Sequence, residues 1–333
     1  MAAMDPDTTA TPEGCPPGAA AAPELAAIRE AALRIRPYAH RTPLLTCAGL
    51  DAMIGARLYF KCENFQKVGA FKFRGAANAV FSLPQAEARR GVATHSSGNH
   101  AQALALAARL RGVPAHIVMP DSSPRVKVAA VQGYGARIVF CPSTQEDRER
   151  TLQQVVQETG SVFVHPYDNP KVIAGQGTCA LELLEEVPEL DLVLVPVGGG
   201  GLASGTALAC AYLAPQVRVL AAEPKGADDA FRSLRDGRIY PSIRPQTIAD
   251  GLRTSLGELT FPILRRYLAA VHTVAEATIV TAMRLIWERL KIVVEPSGAV
   301  PLAALLEGIP EAAGKRVGVI LSGGNLDLDR LPW

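Results

Sequence analysis

Glu63-Asn64-Phe65-Gln66-Lys67-Val68-Gly69-Ala70-Phe71-Lys72-Phe73-Arg74-Gly75 is the stretch on which the reading of the fold turns. The apolar run Arg57-Leu58-Tyr59-Phe60-Lys61 precedes it and reads as a strand. A helical run from Arg74 to Val80 follows. Lys72 therefore falls at a strand–loop–helix junction, between Phe71 and Phe73. Aromatic neighbours desolvate an ammonium, and the positive end of a helix dipole opposes it, so both ease deprotonation of this lysine. A neutral amine is the nucleophile of Schiff-base chemistry. On this stretch alone, a surface lysine with a buried stem explains the residues equally well.

Outward from Lys72 the chain alternates between strand-like and helix-like runs. Upstream, Leu25 to Ala32 reads as a helix ended by Pro37. Thr42 to Leu45 is extended, because Pro43 disfavours helix before it. Downstream, strands are predicted at Gly91–Thr94, Ala115–Met119, Arg137–Cys141, Ser161–His165, Asp191–Val197, Val217–Ala222 and Arg316–Leu321. Helices are predicted at Ala101–Arg111, Pro124–Gly133, Gln145–Thr159, Lys171–Glu186, Leu202–Leu213, Ala275–Leu290 and Ala299–Leu306. Asp191–Val197 is an unbroken apolar run of the parallel-sheet kind. This order predicts an α/β fold of two open, mostly parallel twisted sheets flanked by helices. Ligands in such folds lie beyond the carboxyl ends of strands. The loops at Lys72, Ser97, Gly198 and Ser322 all fall there and can converge on one crevice.

The bulk composition narrows the function. The 333 residues are 48% hydrophobic and 20% charged, enough for real cores. The formal net charge is +2 and aromatics make up 5%. With no basic block, neither the electrostatic footprint nor the stacking surface of a nucleic-acid binder is present. No apolar run is long enough to cross a bilayer. Cys15, Cys47, Cys62, Cys141, Cys179 and Cys210 form no C-x-x-C pair and read as reduced thiols of a cytosolic protein. Residues 1–23 are rich in Ala, Pro, Thr and Gly, lack the marks of a secretory signal, and read as a disordered tail.

Val195-Pro196-Val197-Gly198-Gly199-Gly200-Gly201-Leu202-Ala203-Ser204-Gly205 is the strongest local signal. Four glycines between a buried strand and a helix let the backbone approach an anion, which the exposed N–H groups and helix N-terminus then hold. The anion stays open at this point. Gly198-x-Gly200-x-x-Ala203 also fits a dinucleotide fingerprint, with Glu223 where a ribose-binding acid would stand. That second reading, an NAD-dependent oxidoreductase, leaves Lys72 and the Ser97 loop unexplained. Ser97 precedes a helix and could simply cap it. His100 could be a satisfied structural histidine, and Ser322-Gly323-Gly324-Asn325 a glycine turn.

Taken together, Asn64-Phe65-Gln66-Lys67-x-Gly69-x-Phe71-Lys72, Ser96-Ser97-Gly98-Asn99-His100, Gly198 to Gly201, Glu295-Pro296-Ser297-Gly298 and Ser322-Gly323-Gly324-Asn325 resemble the serine racemase and serine/threonine dehydratase family. These are pyridoxal-phosphate enzymes of the tryptophan-synthase-β fold type. Val172 to Thr178, Ala249-Asp250-Gly251 and Trp287-Glu288-Arg289 match as well, so the resemblance runs from about residue 25 to the end. It implies a large cofactor domain of residues 24–90 and 168–333, with residues 91–167 inserted as a small domain that closes over the substrate.

The resemblance also implies roles. Lys72 would carry pyridoxal phosphate as an imine and move the α-proton on one face. Gly198, Gly199, Gly200, Gly201 and Leu202 would bind the phosphate, Asn99 the ring hydroxyl, and Ser322 would face the ring nitrogen. Ser96, Ser97, Asn99 and His100 would hold the substrate carboxylate, with Ser97 the acid/base on the opposite face. Arg148 and Ser255 would close over the substrate. Glu223, Ala227 and Asp229 match a divalent-cation site of hard oxygen ligands suited to Mg²⁺ or Ca²⁺. Lys67, Gln102, Tyr134, Lys291 and Asn325 match a nucleotide (ATP) effector site, but Ala48 and Val68 lack the hydroxyls expected there. Ala70 and Ala101 are further departures, where serine and glycine are usual. The implied activity is racemisation of L-serine to D-serine with dehydration of L-serine and L-threonine, in a cytoplasmic homodimer. An enzyme that is mainly a dehydratase is the alternative.

Overall fold

The computed structural model describes residues 21–333 apart from Pro124. The expected tail up to residue 20, Cys15 and the helix start at Pro124 lie outside the described residues. Pro23 is buried, and its carbonyl accepts a hydrogen bond from the Tyr212 hydroxyl at 3.3 Å.

The ten strands are β1 (Leu44–Leu45), β2 (Arg57–Cys62), β3 (Val92–His95), β4 (Ala115–Pro120), β5 (Arg137–Cys141), β6 (Val162–Phe163), β7 (Leu192–Pro196), β8 (Arg218–Pro224), β9 (Ala270–Val274) and β10 (Arg316–Leu321). They form a six-stranded sheet in the order β1-β2-β10-β7-β8-β9 and a four-stranded sheet in the order β5-β4-β3-β6. β1 and β2 pair antiparallel; the other pairs are parallel. All five residues of β7 are buried, because helices cover both faces and leave no solvated side for polar residues. In register, Val317 of β10 faces Leu192 of β7, and Pro196 of β7 faces Ala222 of β8. The carboxyl ends of β2, β7, β8 and β10 therefore open on one edge. Among the described residues no helix is long and apolar enough to cross a membrane.

A buried ionic knot fixes the Lys72 helix, Lys72–Ser82, to this sheet. Arg74 is fully buried and makes paired hydrogen bonds to Glu63 (2.7 and 2.8 Å) and Glu182 (2.7 and 2.8 Å). The buried Lys61 ammonium also reaches Glu182 at 2.8 Å and donates to the Thr42 carbonyl. Removing one partner of such a knot strands a buried charge, typically at about 3–5 kcal/mol, so it fixes geometry firmly.

The pattern misses the helices Ala48–Ile54, Asp229–Asp236 and Thr260–Tyr267 and the strand β9. Those helices are short, and none is capped by its own N-cap side chain; Glu223 and Asp168, remote in sequence, take the first N–H groups of two of them. β9 lies at the sheet edge and is only partly buried, which blurs its apolar run. The expected helix Ala275–Leu290 becomes an α-helix, Glu276–Leu285, ending in a π-turn, Ile286–Leu290. The described cysteines are free, and four of the five are buried.

Candidate active site

Four strand ends deliver the site. Lys72 is the first residue of its helix, and the loop before it is pinned to the end of β10. The Phe71 N–H donates to the Ser322 carbonyl (3.0 Å), the Gly324 N–H to the Gly69 carbonyl (2.9 Å), and Ala70 bridges Gly323. Val68 takes φ 58°, rare for a β-branched residue, and Gly69 follows at φ 69°. The Lys72 amine donates to the Pro166 carbonyl at 2.8 Å and lies 5.1 Å from the Phe71 ring centre. Burial lowers its pKa to about 8. This is the amine the sequence pointed to: enclosed, and cheap to deprotonate.

The glycine loop follows β7. Gly200 is left-handed (φ 89°) and is the N-cap residue of the helix Gly201–Leu213. A Cβ on Gly199 would stand 2.4 Å from the Tyr167 ring, on Gly201 2.9 Å from Tyr167 Cβ, and on Gly200 2.9 Å from Thr260 Cβ. On Gly198 it would stand 3.0 Å from Leu252 Cα. The loop is thus packed so closely that only glycine fits, while the first-turn N–H groups of its helix have no intrahelical partner. Thr260 Oγ1 donates to the Gly199 carbonyl at 2.8 Å and holds the loop from behind.

Ser96, Ser97, Gly98 and Asn99 follow β3 at the start of the helix Asn99–Arg111. Gly98 is the N-cap residue and no side chain caps the helix, so the capping role weighed for Ser97 is not observed. Ser96 Oγ accepts from the Gly98 N–H at 3.3 Å. His100 is buried. Its Nε2 meets the Val164 carbonyl at 3.2 Å, and a carbonyl can only accept, so Nε2 carries the proton. Burial and the nearby Lys72 hold the ring neutral, its pKa well below the usual value. Any hold of His100 on a carboxylate is therefore through its main-chain N–H rather than its ring.

Pattern reading missed the turn after β6. His165 Nδ1 accepts from the N–H groups of Tyr167 (3.3 Å) and Asp168 (2.8 Å). This turn aims the Pro166 carbonyl at Lys72 and lays Tyr167 on the glycine loop. Asp168 accepts from the N–H groups of Leu259 and Thr260, both at 3.0 Å. The signal was available, since His165-Pro166-Tyr167-Asp168 is also a loop beyond a strand's carboxyl end.

Other predicted residues stand farther out. Arg148 donates to the Ser143 carbonyl at 3.1 Å; its Nε is buried with no partner among the described residues, and its charge is felt by His95 at the end of β3. Ser255 Oγ accepts from the Ser242 N–H at 2.9 Å. Lys67 lies 5.7 Å from the Phe73 ring centre, Gln102 is buried, Tyr134 packs on the core beneath the four-stranded sheet, and Lys291 is left-handed (φ 62°). Asn325 spends its amide N–H groups on the Val68 carbonyl (2.6 Å) and Asn99 Oδ1 (2.9 Å). A cavity of about 530 Å³ between Leu33, Leu184 and Leu213 lies away from Lys72 and gathers no nucleophile.

Glu223 is the last residue but one of β8, and its carboxyl accepts from the N–H groups of Phe231 (2.5 Å) and Ala230 (3.2 Å), so it is not free for a ribose. Both Asp229 carboxyl oxygens are buried without a partner among the described residues; Ser242 faces them without completing a hydrogen bond. Burial pushes Glu223 up to about 9 and Asp229 up to about 6. Two buried carboxyls short of a counter-charge fit a cation. Among the described residues no group of three or more His, Cys, Asp or Glu gathers for a metal, at this turn or anywhere else.

A model of the "Pyridoxal-phosphate dependent enzyme" family matches residues 35–323, nearly the whole described chain. The chain belongs to this family. It is 54% identical over 300 residues to the beta-hydroxyaspartate dehydratase of Paracoccus denitrificans, covering 90% of this chain and 95% of the relative. It is 51% identical to the serine racemase of Arabidopsis thaliana, covering 93% and 95%. The solved structure of maize serine racemase superimposes with a TM-score of 0.91 at 50% identity, covering 92% of this chain and 95% of that one. Membership sets aside the oxidoreductase reading of the glycine loop. The residues present fit the cofactor: a half-buried amine of lowered pKa, a glycine cradle at a helix N-terminus, and Ser322, buried at the end of β10 beside the Lys72 loop.

Proposed function

We propose that the protein is a serine racemase that also dehydrates L-serine and L-threonine. The observation that carries this reading is the Lys72 amine, half-buried and lowered to about 8, held on the Pro166 carbonyl beside Tyr167, which packs on the glycine loop. Lys72 would attach the cofactor, Gly198 to Leu202 would hold its phosphate, Asn99 its ring hydroxyl and Ser322 its ring nitrogen. Bound there, the cofactor supplies the electron sink that makes the α-proton of an amino acid removable. Ser322 is a neutral partner and does not force a proton onto the ring nitrogen, which keeps the sink weak and favours prompt loss of a β-hydroxyl.

The chain's own residues do the rest. The helix N-terminus at Ser96–Asn99 and the His100 N–H orient the substrate carboxylate. Lys72 Nζ takes the α-proton on one face. Ser97 Oγ returns one from the other, which is what inversion requires. Residues 91–167 close over the substrate, excluding water, with Arg148 and Ser255 moving inward. Glu223, Asp229 and the Ala227 carbonyl hold Mg²⁺ or Ca²⁺. A nucleotide effector would meet Asn325 only through its carbonyl oxygen. A cytoplasmic homodimer is part of the same reading.

Arg148 favours a second reading, elimination from β-hydroxyaspartate. Its partnerless Nε near His95 offers a cation to a second carboxylate. Incubation with L-serine and with β-hydroxyaspartate, counting D-serine and the 2-oxo acid in each tube, decides. D-serine and pyruvate from L-serine support the first reading. Turnover of hydroxyaspartate alone replaces it with the second.

A further inference from the structure

Glu295 and Asn99 lie 196 residues apart and meet where the helix Asn99–Arg111 faces the end of β10. Glu295 is the N-cap residue of the helix Pro296–Glu307. Its side chain folds back over Gly323, where a Cβ would stand 2.7 Å from Oε1. Its two oxygens accept from Asn99 Nδ2 at 3.0 and 3.3 Å, and Oε2 also accepts from the Asn325 N–H at 3.0 Å. The Asn325 amide nitrogen donates in turn to Asn99 Oδ1 at 2.9 Å and to the carbonyl of Val68, in the Lys72 loop, at 2.6 Å.

This triangle determines how the Asn99 amide points. Two donors, the Asn99 amide nitrogen and the Asn325 N–H, make three contacts with a carboxyl that offers acceptors, so the nitrogen of Asn99 must face Glu295 and its oxygen Asn325. The other charged groups facing Glu295 are Asp250 and Lys127, paired at 2.7 Å. Glu295 is nearly sealed from water, at 3% exposure. A carboxyl with this burial is retained at a cost, and the pattern of its contacts indicates for what.

We propose that Glu295 is a positioning residue for the cofactor, holding the Asn99 amide so that it offers a donor to the ring hydroxyl and tying that amide to the Lys72 loop. The proposal rests on the reading that Asn99 meets the ring hydroxyl. It goes beyond that reading by assigning the geometry to a residue that touches neither cofactor nor substrate.

The test is a double-mutant cycle read by equilibrium binding of pyridoxal phosphate to cofactor-stripped protein and by the absorption bands of the bound cofactor. Asn99→Ala and Glu295→Gln are each expected to weaken binding roughly tenfold, as loss of a buried hydrogen bond does, and to shift the ratio of the bands. If Glu295 acts through Asn99, the double variant binds no more weakly than the weaker single variant. Losses that multiply in the double variant overturn the proposal. Unchanged binding in Asn99→Ala instead sinks the premise, and the proposal with it. If circular dichroism shows that Glu295→Gln does not fold, Asn325→Ala removes the other anchor of Asn99 without stranding a carboxyl. It must shift the bands in the same direction, and unshifted bands overturn the proposal.

Discussion

Alanine at two neighbouring glycines separates packing from backbone approach in the proposed phosphate loop. In Gly199→Ala the new methyl would stand 2.4 Å from the Tyr167 ring, about 1 Å inside ordinary contact at 3.4 Å. Either the ring or the loop must move by that amount. In Gly201→Ala the obstacles are Tyr167 Cβ at 2.9 Å, Cα at 3.0 Å and its carbonyl at 3.2 Å, which no side-chain rotation removes. Overpacking of this kind costs about 1–3 kcal/mol, equivalent to roughly 5- to 150-fold weaker binding of pyridoxal phosphate if the loop absorbs the strain. Titration of cofactor-stripped protein with pyridoxal phosphate measures the loss, with circular dichroism as the check on folding. Tyr167→Ala removes the ring but keeps the backbone, so it should restore binding to Gly199→Ala and not to Gly201→Ala. Wild-type affinity in both glycine variants, or equal rescue of both, would refute the assignment of this loop as a close-packed phosphate cradle.

Three further outcomes follow from the same geometry. Ser97→Ala should abolish D-serine formation from L-serine while keeping pyruvate formation, because Lys72 alone serves one face; unchanged D-serine output removes Ser97 as the second acid/base. The rate at which cofactor-stripped enzyme captures pyridoxal phosphate should rise with pH through a midpoint near pH 8 and level off above it. The neutral amine is the nucleophile, and burial brings Lys72 down to about 8 from 10.5; a midpoint near 10.5 would show the amine to be solvated. A chelator should lower the melting temperature by roughly several degrees, with recovery on adding Mg²⁺, since a bound cation stabilises the fold by mass action. An Asp229→Asn variant should not respond, and a wild-type curve indifferent to the chelator argues against a cation at Glu223 and Asp229.

The parts of the fold legible in the sequence were those whose cause is local. β7 and β10 showed themselves as unbroken apolar runs because both faces are covered. Boundaries shifted where a terminus is set by conformation rather than by apolar spacing. The helix expected from Ala101 begins at Asn99 because Gly98 takes the cap position, and the one expected from Ala299 begins at Pro296, a residue suited to the first turn. Lys72, the glycines and Ser322 were legible as candidates because each sits beyond a strand's carboxyl end. The support around them was not. Pro166 meets Lys72 across 94 residues, and Glu295 meets Asn99 across 196. No spacing along the chain encodes such contacts; they follow from the parallel topology that stacks strand ends on one edge. Glu295 stands in a motif of the sequence, but its partners Asn99 and Asn325 are supplied only by the fold.

Lys72 is the residue proposed to bear the cofactor. Reduction of the holoenzyme with borohydride, followed by peptide mapping, tests it directly. The label is expected on Lys72, within the peptide that includes Phe71 and Phe73, and Lys72→Ala is expected to lose the cofactor's absorption band. A label on another lysine, or an unchanged band in Lys72→Ala, would contradict it.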